Sequence, residues 1–104
     1  MNGGMWDGKQ VVPSVWVRES TKRWSDAWEG LGYGYMWWEL PAALGLGGSG
    51  FAALGNKGQA VDVIPSKRLV VAQTADRTDS LFEFRSSHFI ELLRLIVDAS
   101  PGNK

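Results

Sequence analysis

The chain contains no cysteine. Disulfides, zinc–thiolate centres and thiol nucleophiles are therefore excluded. His88 is the only histidine, so a cluster of histidine ligands cannot form either, and no metal or other cofactor is expected. Neither sign of charge is in excess, because 11 Lys plus Arg balance 11 Asp plus Glu. Phosphate binding normally leaves a basic surplus or patch, and nothing denser than Lys22-Arg23 or Lys67-Arg68 occurs; nucleic acid is not the expected partner. No apolar run reaches the length of about 20 residues that spans a bilayer. The segment "MNGGMWDGKQ" lacks the apolar stretch of a signal peptide. The chain is thus expected to avoid membranes and to stay in the cytoplasm. A net charge of zero also removes colloidal repulsion, which eases self-association.

Two residue types are abundant, with six Trp and 13 Gly among 104 residues. Trp is large and costly to leave in water, so it marks a core or an interface. A chain of this length forms one domain, here residues 1–104, and buries only about two-thirds of its unfolded surface.

The N-terminal residues read as a loop with a turn at Asp7-Gly8. Pro13 suits the first position of a helix, and "PSVWVRES" makes two turns with Val12, Trp16 and Val17 facing inward. "YGYMWWEL", Tyr33 to Leu40, reads as a strand with Tyr33, Tyr35 and Trp37 on one face and Met36 and Trp38 on the other. "PAALGLGGSG" reads as a flexible loop. Gly50–Leu54 and Gln59–Ile64 are strands, Pro65 sits in a β-turn over Ile64–Lys67, and Arg68–Thr74 returns. From Ser86 to Ala99 the spacing of Phe89, Leu92, Leu93 and Ile96 is helical. Ser86 or Ser87 caps that helix and Pro101-Gly102 stops it. The sum is an α+β domain with a small antiparallel sheet of three to four strands and the C-terminal helix on one face. The sheet has more apolar face than its helices can hide, and the strand Arg68–Thr74 offers an open edge.

Candidate sites are few. "GLGGSG", Gly45–Gly50, matches Gly-x-Gly-x-x-Gly, but a dinucleotide site needs a helix after it and here a strand follows. His88 reads as a surface or capping residue rather than a general base. Asp62 interrupts an apolar strand and is expected in solvent, at an edge, or paired with Lys57 or Arg68. The aromatic residues Tyr33, Tyr35 and Trp37 either pack in the core or line a small-ligand or peptide groove.

The pieces "GLGYGYMWWEL", "GFAALGNKGQAVDVIPSKRLVVAQTADR" and the last helix, in that order, resemble the C-terminal end of the serine β-lactamase and penicillin-binding-protein-like hydrolases, including their esterase and amide-hydrolase branches. In that family the third catalytic motif is Lys-Thr-Gly or His-Thr-Gly, and a backbone N–H just after it supplies half of the oxyanion hole. The resemblance places Ala53, Leu54 and Gly55 at the motif, with Gly55 kept and the cationic group lost at Ala53. It implies that Gly55 and the N–H of Asn56 face a substrate carbonyl. The family's nucleophile is Ser-x-x-Lys, and no serine of this chain has Lys three residues on. A hydroxyl without a base beside it is a poor nucleophile, so no catalytic residue is assigned. The expectation is a catalytically silent, fragment-like domain that associates with copies of itself. The alternatives are the oxyanion-strand half of a split hydrolase, completed by an N-terminal chain bearing Ser-x-x-Lys, and a ligand-binding module.

Overall fold

A computed structural model describes residues 2–27, 30–55, 59–74 and 86–100, with the side chains of 86–88 excepted. The chain opens with a hairpin, β1 (Met5–Trp6) and β2 (Lys9–Gln10), and then forms helix α1 (Ser14–Thr21). Six strands follow: β3 (Ser25–Asp26), β4 (Gly32–Tyr33), β5 (Trp38–Leu40), β6 (Gly50–Gly55), β7 (Gln59–Ile64) and β8 (Leu69–Gln73). Helix α2 (Ser86–Ala99) comes last. The six strands pair in sequence order, each antiparallel to the next. The α+β architecture is the one anticipated, with six strands in the sheet where the sequence pattern disclosed three to four.

The local reasons are legible at the turns. Asp7 and Gly8 both take positive φ, 51° and 75°, which is the backbone twist a two-residue hairpin loop requires. Pro65–Lys67 forms one 3-10 turn, closed by Arg68 in the left-handed region with its N–H donating to the Pro65 carbonyl at 3.0 Å. That turn replaces the simple β-turn expected there and leaves β8 starting at Leu69. Pro13 stands just before α1 with extended ψ rather than inside the helix. At the other end of α1, the Thr21 hydroxyl donates back to the Val17 carbonyl at 2.7 Å.

One core lies between the sheet and α2. It gathers Leu31, Leu40, Leu46, Ala52, Ala60, Ile64, Phe89, Leu93 and Val97. Register explains the set: Ala60 and Ile64 share a face of β7 two residues apart on either side of Asp62, and Ala52 of β6 lies opposite Asp62 on that face. Full burial of a Leu or Ile side chain stabilises by roughly 1.5–3 kcal/mol, so Leu40, Ile64 and Leu93 dominate the fold. On α2 the inward stripe is Phe89, Leu93 and Val97, while Leu92 turns outward.

Two expectations about the rest are corrected. The loop after β5 is anchored: Leu46 is fully buried, the Arg94 Nε of α2 donates to the Leu44 carbonyl at 2.6 Å, and the Ser66 hydroxyl donates to the Gly47 carbonyl at 3.0 Å. Val12 and Trp16 face outward, because α1 meets the β4–β5 turn rather than the sheet core, and Ser20 is its only buried residue.

Gly50 begins β6 where a Cβ would run into the Val63 carbonyl oxygen and crowd Ile64 Cδ1. Both neighbours are held, one as backbone of β7 and one as core. Gly50→Ala is therefore expected to destabilise the fold by about 1–3 kcal/mol through overpacking. A denaturant midpoint unchanged from the parent would contradict this packing.

Candidate functional site

The strand that the family resemblance singles out is β6. Ala53, Leu54 and Gly55 pair with Val61, Ala60 and Gln59 of β7. Leu54 packs against the core under α2, Ala53 points to the opposite face, and Gly55 ends the strand in solvent. A Cβ at Gly55 would press on the Gln59 side chain, which gives this glycine a packing role at the hairpin end. Asn56 and Lys57 lie outside the described residues, as do the side chains of Ser86, Ser87 and His88.

Where the described serines make hydrogen bonds, the hydroxyls serve the main chain. Ser20 donates to Val17, Ser25 to Tyr33, Ser66 to Gly47 and Ser100 to Val97, each to a carbonyl oxygen. A hydroxyl donating to a carbonyl has no base to take its proton, so none of the four is an activated nucleophile. Among the described residues no group of three or more His, Cys, Asp or Glu is placed to hold a metal ion. Nor is any helix among them long and apolar enough to cross a membrane.

The aromatic stretch is a hairpin rather than one strand. β4 ends at Tyr33 and β5 begins at Trp38, joined by a turn in which Gly34 N–H donates to the Trp37 carbonyl at 2.9 Å. Met36 sits in the turn with φ 70°. The turn sends the three proposed groove residues apart. Tyr33 lies opposite Trp38 and meets it edge-on at 4.8 Å. Tyr35 stands at the exposed tip, stacked on Trp24 at 5.6 Å and tilted against Trp16 at 5.4 Å. Trp37 packs edge-on against Phe51 at 5.3 Å, on the face away from α2. They do not line one groove.

Arg23 ties β3, the turn after it and β5 together. Its guanidinium donates to Asp26 at 2.8 Å, to Glu39 at 2.9 Å and to the Gly30 carbonyl at 2.9 Å. The hydrogen bonds to Asp26 and then Glu39 raise its pKa further above its ordinary value. This is a structural clamp, and it occupies both carboxylates.

Asp62 is the residue that sequence reasoning misplaced. It is 1% exposed, on the α2 side of β7, which lies between β6 and β8, and its Oδ1 has no hydrogen-bond partner. Arg68 forms no ion pair with it, Lys57 lies outside the described residues, and burial pushes its pKa up, to about 7. The signal was present in the alternation Ala60, Asp62, Ile64, which puts the carboxylate on the buried face once β7 is known to be internal.

The face away from α2 carries a second apolar surface. Phe51 and Ala53 of β6, Val61 and Val63 of β7 and Val70 and Ala72 of β8 share it by register. Val61 is 42% exposed and Val70 is 53% exposed. β8 is the last strand of the sheet, and the sequence Leu69–Gln73 contains no charged residue and no proline. Compared with protein-family models, with curated proteins and with solved structures, the chain matches none.

Proposed function

We propose that the chain is a non-catalytic interaction domain of the cytoplasm, related to the C-terminal sheet of β-lactamase-like serine hydrolases, and that it works as an assembly of copies of itself. The observation that carries this reading is the apolar stripe on the sheet face opposite α2, running through Phe51, Val61, Val63, Val70 and Ala72 to the strand β8. A sheet with both faces apolar is normally covered on both. Edge strands are usually blunted by Lys, Pro or a bulge, and β8 has neither residue in its span. Antiparallel pairing of β8 with its own copy about Val71 sets Val70 against Ala72 and Leu69 against Gln73, so both faces of the sheet continue across the junction. Zero formal net charge leaves no long-range repulsion to oppose this.

The test is solution mass by light scattering over a dilution series, with circular dichroism on the same samples. A folded dimer or larger assembly at micromolar concentration is the expected result. A well-folded monomer at those concentrations would sink the proposal.

A second reading is favoured by the placement of Ala53–Gly55. Their strand is internal, flanked by β5 and β7 and backed by α2, and the resemblance makes it the strand that borders an acyl-transfer site. In this reading a separate chain supplies Ser-x-x-Lys and a base, and this chain supplies Gly55 and the Asn56 N–H as oxyanion support. Ester or β-lactam turnover that appears only on mixing with such a chain is the expected sign. The absence of turnover with every N-terminal piece tried would count against it.

A further inference from the structure

A carboxylate on an internal strand, 1% exposed and with one oxygen lacking any hydrogen-bond partner, is an expensive group to ionise. Removing a charge from water without pairing it costs several kcal/mol, and such a group holds its proton instead. We propose that Asp62 couples the seating of α2 on the sheet to pH, the helix packing closely while the carboxyl is neutral and loosening once it ionises.

The surroundings of Asp62 leave no other outlet. Its register partners are Ala52 on β6 and Val71 on β8, and its neighbours on the same face of β7 are Ala60 and Ile64. β6 and β8 contain no charged residue. α2 turns Phe89, Leu93 and Val97 into the core. The charged residues of the packed elements are engaged elsewhere or face solvent. Glu39 of β5 accepts from Arg23, Arg94 of α2 donates to Leu44 and lies 3.8 Å from Glu91, and Glu91 and Asp98 are exposed. Among the described residues no cation pairs with Asp62, so its ionised form is relieved by water. Among the described residues this face is covered by α2, whose Phe89, Leu93 and Val97 pack with Ala52, Ala60 and Ile64 around Asp62, together with Leu46 of the loop before β6, and α2 is the element whose shift admits water.

The sign follows from linkage. The carboxyl titrates near its ordinary value of 3.8 in the unfolded chain and at about 7 in the folded one. Below the lower value both states are protonated and stability from this group is complete. Between the two, only the unfolded state has lost its proton, so stability falls as pH rises; above about 7 the loss is complete. Each unit of pH in that window changes the closed-to-open ratio by up to about tenfold.

The experiment reads amide hydrogen-exchange protection factors along α2 from pH 5 to pH 8, corrected for intrinsic exchange. In the parent chain they are expected to fall by up to about tenfold per pH unit until about pH 7 and then level off. Asp62→Asn is expected to give a flat profile. His88 sits on the same helix, and histidine is the side chain whose ordinary pKa falls near this window, so His88→Gln is the control, and it should keep the slope. A flat profile in the parent, an unchanged slope in Asp62→Asn, or a slope abolished by His88→Gln would each overturn the proposal. If Asp62→Asn does not fold, carboxyl carbon NMR of the parent gives the titration directly, and a midpoint near 4 for Asp62 would overturn it equally.

Discussion

Val61→Lys combined with Val70→Lys is expected to turn the proposed assembly into a folded monomer. Both side chains point away from α2 and are already about half in water, so a lysine reaches solvent from either position without entering the core. Folding should survive, with the denaturant midpoint within the small shift usual for surface substitutions, about 0.5 kcal/mol. Association should not survive. Two lysines on each copy put four like charges into one contact, and like charges brought together on association cost several kcal/mol. At about 1.4 kcal/mol per tenfold in affinity, that weakens the contact by a hundredfold or more. Sedimentation or light scattering of the double variant beside the parent reads the effect. An assembly of unchanged mass would place the contact elsewhere, and an unfolded variant would show that this face is sealed within the monomer.

Leu93→Ala is expected to have the largest effect on stability. Leu93 is 2% exposed and lies at the middle of the inward stripe of α2, between Phe89 and Val97. Truncating a buried leucine removes its transfer free energy and leaves a cavity, together costing about 2–5 kcal/mol. Total stability for a domain of this kind is about 5–15 kcal/mol, so the variant stands close to unfolding. A shift in Tm of about 4–8 °C per kcal/mol makes a fall of 10 °C or more the expected reading by calorimetry. Leu92→Ala, one residue away on the outward side, is expected to cost less than about 1 kcal/mol. Equal costs at the two positions would contradict the orientation of α2.

That pair also shows what could be read from the sequence. The limits of α2 were legible, from the helical spacing of its apolar residues and the Pro101-Gly102 stop. The outward turn of Leu92 was not, because the apolar stripe of α2 is wider than the contact it makes. β7 was legible to the residue, since Gln59–Ile64 alternates between Gly58 and Pro65. The β4–β5 hairpin was hidden because its turn places Met36, rather than Gly or Asn, at positive φ, and an aromatic run reads as strand throughout. β3 has only Ser25 and Asp26, too short and too polar to carry a period. Asp62 was misjudged for a different reason. A carboxylate defaults to solvent in any reading of one strand alone, and its burial follows only from the neighbours that β6, β8 and α2 supply. The candidate site shared this fate: Ala53–Gly55 could be placed by order along the chain, while the scatter of Tyr33, Tyr35 and Trp37 depended on a turn.

The strict sequence order of the sheet has a kinetic consequence. Every strand finds its partner in the segment just made, so the sheet grows hairpin by hairpin with short loop closures and low contact order, the condition for rapid folding. The core is different. It closes only when α2, which follows all six strands, folds back over strands laid down much earlier. On a ribosome the six strands are complete before the helix emerges, and for that interval the nascent sheet has no helix over the face that will become its core. The growing chain is then most exposed to sticking, and the emergence of α2 is what ends that exposure.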